Sequence, residues 1–206
     1  MAASQQNGHD FDNEIKALYN VTNTGYTSLH DIPAQFNEGS DASIKSSVGD
    51  TCDCGDAIRM FNNAHLQKYQ MIRGRFQQVG EQKHLREIHL MDLSDSVAIL
   101  WGTLTLAEVT LLNELTKSYR PGKEDIRKAV HSLKKDLNKK SGLMQFRPKM
   151  DSKQHRLQCS IPKWSQLVSA HPERVIYHTT SGMFRETQLT MVRESGRRQR
   201  NPRGQS

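Results

Sequence analysis

Apolar residues are scarce in this sequence. Leu, Ile, Val and Phe supply 43 of 206 positions, barely above the roughly 20% below which a charged chain tends to stay unfolded. A globule packed along its whole length is therefore not expected. No stretch approaches the roughly 20 consecutive apolar residues of a helical membrane span. The opening Met1-Ala2-Ala3-Ser4 lacks the basic and apolar regions of a secretory signal. Three cysteines, Cys52, Cys54 and Cys159, are too few and of the wrong parity for a disulfide framework. An intracellular setting, cytoplasmic or nuclear, is the expectation.

Catalytic signatures are missing as well. The chain has no phosphate-binding glycine loop, no Gly-x-Ser-x-Gly, no His-Glu-x-x-His and no dinucleotide fingerprint. His84, His89, His155, His171 and His178 offer general bases without a visible partner. Lys153, His155 and Arg156 come nearest to a metal-independent nuclease site. Cys52, Cys54, His155 and Cys159 could supply four zinc ligands, but one residue between the first two cysteines is tighter than usual and the pairs lie far apart. The expectation is a protein with no enzymatic activity, no cofactor and no metal.

What is present is charge, unevenly placed. The formal net charge is +7. Residues 1–56 carry nine acids and two bases, so residues 57–206 carry +14. A basic half of that size attracts nucleic acid or an anionic membrane surface. Apolar content divides in the same place. Residues 1–56 hold nine Leu, Ile, Val or Phe, too few to offset the entropy of ordering. The expected organisation is an acidic, mostly disordered arm (1–56), a basic α+β core (57–194) and a disordered Arg-rich tail (195–206).

One feature interrupts the arm. Phe11, Ile15, Leu18 and Tyr19 recur at helical spacing after Asp10. This short amphipathic helix at 10–20 either orders in a partner protein's groove or docks on the protein's own domain. In the core, Ile58, Phe61, His65, Tyr69, Ile72, Phe76 and Val79 step by three or four and predict one helix over 57–79. That helix could also mediate self-association. From Arg86 the period changes to two, predicting a hairpin at 86–93 and 96–103, although a long helix through 96–119 also fits. Thr105-Leu106-Ala107-Glu108 is a capping box that starts a helix at 106 and runs it to 119. A second amphipathic helix spans Glu124 to Lys140, acids first and bases last, as its dipole favours. Strands follow at 155–160, a helical turn near 164–169, and a hairpin at 174–179 and 183–193. The expected fold class is α+β, three to four helices with a small antiparallel sheet, flanked by disordered arms.

The densest chemistry lies between Lys117 and Arg156, where thirteen bases meet four acids. Arg127, Lys128, Lys134 and Lys135 lie off the apolar stripe, and Lys139 and Lys140 end the helix. All six are candidates for phosphate contact. Mostly lysine, they suit backbone contact better than base reading. Arg197, Arg198, Arg200 and Arg203 form a second cluster, suited to gripping RNA or to nuclear import.

The leading expectation is an RNA- or nucleoprotein-binding protein of structural or regulatory type. The alternative is a protein-interaction adaptor that uses the arm helix and the 57–79 helix and docks its basic face on membrane or acidic partners. In outline this is also the organisation of small viral structural or regulatory proteins, matrix-like or accessory, an analogy of size and charge that covers no motif.

Overall fold

The computed structural model describes residues 3–21, 30–151 and 154–194. Among them, six α-helices and ten strands in three sheets make an α+β fold. The α+β class is as expected, but the expectation of three to four helices with a small antiparallel sheet is corrected; the tail expected at 195–206 lies outside the described residues.

The larger sheet has five strands. Its first strand, β1 (Asp41–Val48), lies parallel to β3 (Tyr69–Val79), with Asp41 opposite Tyr69 and Val48 opposite Phe76. The intervening segment carries β2 (Cys52–Asp56) and α2 (Ala57–Asn63). β3 turns through Gly80-Glu81 into β4 (Gln82–Asp92), its antiparallel partner. Gly80 takes the left-handed backbone, φ 57°, that such a tight turn favours. The far edge of β4 is shared end to end by β7 (Val175–Thr179) and β10 (Val192–Glu194).

The second sheet has the order β2-β6-β5, with β5 at Gln145–Met150 and β6 at His155–Ile161. Two-residue strands β8 (Met183–Phe184) and β9 (Thr187–Gln188) form a small ribbon. The hairpin expected at 174–179 and 183–193 is therefore absent, because its first strand pairs with β4 instead.

The 57–79 stripe is not one helix. Asp56 caps α2 by accepting a hydrogen bond from the Arg59 amide at 2.8 Å, but α2 stops at Asn63. From Tyr69 the same stripe becomes a strand with both faces covered. Tyr69 and Met71 point to one core, Ile72 and Phe76 to the other. A strand buried on both sides loses its period of two, and here its apolar spacing imitates a helix. The expected hairpin at 86–93 and 96–103 fails for a related reason. The partner of β4 precedes it in sequence, and 97–101 form helix α3 (Val97–Trp101).

Helix α4 (Leu106–Ser118) starts at the Thr105–Glu108 capping box with both reciprocal hydrogen bonds in place. Helix α5 spans Glu124–Lys140, and α6 spans Trp164–Ala170. The larger core joins Tyr69, Met71 and Met91 of the five-stranded sheet to Phe146, Leu157 and Cys159 of the second sheet, with Trp101, Leu112 and Trp164 between.

A smaller core covers the opposite face of the five-stranded sheet. Helix α1 (Ala3–Leu18) lays Phe11 and Ile15 there beside Ile72, Phe76, Leu85 and Ile88. Gly74 allows this close approach, because a Cβ at that position would lie 2.6 Å from the Phe11 ring. The ring also meets Phe76 edge-on at 5.7 Å. Much of the segment expected to be a disordered arm is thus structural. It supplies α1 and the first edge strand of each larger sheet, β1 and β2, and Asp31 ties the chain to β1 by accepting from the Ile44 amide at 2.7 Å.

Candidate nucleic-acid interface

Helix α5 buries little of itself. Only Val130 and Leu137 are fully covered, with Ile126 and Leu133 packed against the core edge. Arg127, Lys128, Lys135, Lys139 and Lys140 are exposed, and Lys134 is half-buried. The six are not equivalent. Lys140 pairs with Glu108 and so fastens the end of α5 to the capping box of α4. Lys139 pairs with Asp136 at 2.9 Å, and Arg127 lies 3.6 Å from Glu124. Lys128, Lys134 and Lys135 make no ion pair among the described residues.

A second row of bases stands on β5 and β6. Successive residues of a strand point to opposite faces. Phe146 faces the core, so Gln145, Arg147 and Lys149 face outward. Their cross-strand partners are Ser160, Gln158 and Arg156. Arg147 pairs with Asp53 of β2. Lys149 stands directly opposite Arg156, and neither has an acid partner among the described residues. Like charges in that arrangement destabilise a sheet by roughly 0.2–1 kcal/mol. The sequence shows Arg147, Lys149 and Arg156 as bases but does not place them on one face, because that requires the register of β5 on β6.

The two rows meet at a cleft of about 480 Å³. Lys134 reaches it from α5 and Arg147 from β5, while Ser46, Ser47, Thr51 and Ser160 supply hydroxyls, and Val48 and Pro162 an apolar wall. Behind Ser47 lies the fully buried Arg73. Its Nε donates to Ser47 Oγ at 3.0 Å and its Nη2 to the Gly49 carbonyl at 2.6 Å. The Trp164 ring lies 5.2 Å from its guanidinium. Burial works against this charge, and Glu87, 3.5 Å away, helps to hold it. The cleft can therefore offer Lys134 and hydroxyl groups to an anionic group, as phosphate recognition requires, while Arg147 is held by Asp53, which also lines it.

Other candidates fall elsewhere. Phe11, Ile15 and Tyr19 are buried and Leu18 half-buried, all within the protein's own smaller core. The face expected to meet a partner is occupied by the sheet. Arg197, Arg198, Arg200 and Arg203 lie outside the described residues. Cys52, Cys54 and Cys159 share the larger core as free thiols, and burial pushes the Cys159 thiol well above its ordinary range. His155 sits at the other end of β6 from Cys159, about 13 Å along the strand, so the four zinc candidates are not brought together.

Among the histidines, His155 meets the Tyr119 ring edge-on at 5.9 Å and His171 lies 3.3 Å from Glu173. His89 and His178 are different, because they stack on one another beside Glu87. Of the described residues, these three form the group whose donor atoms lie close enough to hold a metal ion. No described helix is long and apolar enough to cross a membrane. No protein-family model matches the chain, and no curated protein or solved structure shows significant similarity to it.

Proposed function

We propose that this protein binds RNA, free or within a nucleoprotein, through its phosphate backbone, and that the role is structural or regulatory rather than enzymatic. The observation that carries the reading is the unneutralised pair Lys149 and Arg156, directly opposite on an outward sheet face. That face continues through Arg147 to a hydroxyl-lined cleft and the unpaired Lys134. Folding alone is served better by a neutral or opposite-charge pair at those positions. A polyanion turns the repulsion into binding energy by releasing its own counterions. Lys128 and Lys135 on the outer side of α5 extend the positive track. The adaptor alternative loses its principal element, since the α1 face is buried at home.

The test is a gel-shift salt series with single- and double-stranded RNA. Replacing Lys128, Lys134, Lys135, Lys149 and Arg156 with Gln should weaken binding alike across unrelated sequences, because phosphates carry no base information. The slope of log affinity against log salt should flatten by about 0.7 for each phosphate that is no longer neutralised on a single strand. A folded variant with unchanged affinity and slope overturns the reading. Retention on anionic vesicles with no retention on RNA gives the surface to membrane docking instead.

A further inference from the structure

We infer that Glu87 and His89 of β4, with His178 of β7, form a binding site for a divalent transition-metal ion of the zinc class, separate from the basic face. The register makes the site. His89 lies opposite Arg73 on β3 and opposite His178 on β7, and Glu87, two residues before His89, shares its face. One carboxylate oxygen and two imidazole nitrogens lie within 4.8 Å of one another. Glu87 Oε1 and His89 Nδ1 are 3.8 Å apart. Tetrahedral zinc, with bonds of about 2.0–2.1 Å, spaces its ligands by roughly 3.3 Å, so a small closure brings these donors to bonding distance.

The second observation is an orphan. His89 is 5% exposed, and its Nδ1 is buried without a hydrogen-bond partner. Buried polar atoms left unpaired are uncommon and costly, and a bound ion is one of the few things that accounts for them. His178 is exposed, so the site opens to solvent on that side and leaves a position for water. The two rings are stacked, with centroids 4.3 Å apart and planes 11° apart. Lone pairs of parallel rings do not converge on one point. Loading therefore requires His178 to turn about its Cβ–Cγ bond, a torsion with a broad profile that solvent exposure leaves free.

Donor chemistry selects the ion. Two imidazoles and a carboxylate suit zinc, cobalt or nickel, whereas calcium and magnesium want oxygen ligands throughout. Glu87 also receives Arg75, with Nε to Oε1 at 2.8 Å and Nη2 to Oε2 at 3.1 Å, and Arg73 at 3.5 Å. Outer partners of this kind orient a ligating carboxylate. Their positive charge also opposes the ion, so the site is an exchangeable one, weaker than a closed cysteine site.

The experiment titrates the full chain with Co²⁺, followed by its visible absorption, and with Zn²⁺ by calorimetry. One saturable site per chain is expected, without a thiolate charge-transfer band. His178→Ala should weaken binding at least about tenfold, the scale on which zinc sites lose affinity when a supporting group is removed. Because His178 is exposed, the variant should keep its melting temperature in the absence of metal. His171→Ala, which removes a histidine elsewhere, should leave affinity unchanged. Binding that does not saturate, a thiolate band, or equal affinity in His178→Ala overturns the site. RNA affinity should be the same in His178→Ala, so failure of this inference and failure of the RNA reading are told apart.

Discussion

Helices α1 and α5 invert what their sequences promise. α1 belongs to an acidic, apolar-poor segment, yet it places Phe11 and Ile15 at 0% exposure on the five-stranded sheet. α5 has the cleaner amphipathic pattern and the better charge placement, yet along its stripe Ile126 and Leu133 stay half-buried and Ala129 exposed, with Val130 and Leu137 covered. Periodicity tells which face of a helix is apolar. How deeply that face sinks depends on the surface waiting for it, and Gly74, far downstream of α1, shapes that surface. A helix pressed into the fold serves stability, and a helix resting on its edge is free to serve binding.

The sharpest way to break that contrast is Phe11→Ala. Removing a fully buried aromatic ring should cost about 3–5 kcal/mol, read as a fall in denaturation midpoint, with RNA affinity of the folded fraction unchanged. A stable variant would return α1 to the role of a detachable recognition helix. Gly74→Ala attacks the same packing from the sheet side and should cost about 1–3 kcal/mol by overpacking. On α5, the quadruple replacement of Arg127, Lys128, Lys134 and Lys135 with Gln should leave stability nearly unchanged, since Gln is a good helix former, while RNA affinity falls. Equal drops in stability at the two helices would erase the distinction.

Arg156→Glu separates folding from binding within one residue. It replaces the Lys149 repulsion with an attraction, so stability should rise by roughly 0.2–1 kcal/mol while RNA affinity drops. Both quantities moving the same way would count against the polyanion role of that pair.

The smallest effect concerns acid. Burial pushes the Asp50 carboxyl up, but hydrogen bonds from the Ser165 hydroxyl at 2.7 Å and amide at 2.9 Å more than offset this, and its pKa lies below the ordinary value. A depressed folded value means stability that is present above the unfolded aspartate pKa of about 3.9. It is lost as pH falls through the folded value. Urea midpoints of the wild-type chain and Asp50→Asn should differ at neutral pH and converge in acid.

Legibility follows locality. The Thr105–Glu108 capping box, the dipole-matched charges of α5 and the short helix near 164–169 are all written within a few neighbouring residues, and the structure has them. Composition misleads for the acidic segment because it counts apolar residues without regard to placement, and five of those counted, Phe11, Ile15, Val21, Ile32 and Ile44, land in one core. Periodicity misleads for β3 because that strand is covered on both faces. Of the candidate interface, the α5 lysines are visible in the sequence. The Lys149–Arg156 opposition and the meeting of His89 with His178 are not, because registers between strands have no local signature.

One interaction reaches further than the rest. Glu14 on α1 accepts from Thr190 and from Arg193, 176 and 179 residues away, and Phe184 and Leu189 close the same core over Phe11 and Ile15. During synthesis at about 5–20 residues per second, the early helix emerges roughly 10–35 s before the strand that completes its seat. Until then its apolar face has only the part of its seat that β3 and β4 provide, which makes the nascent chain, rather than the finished protein, the form most exposed to chaperones and to premature association.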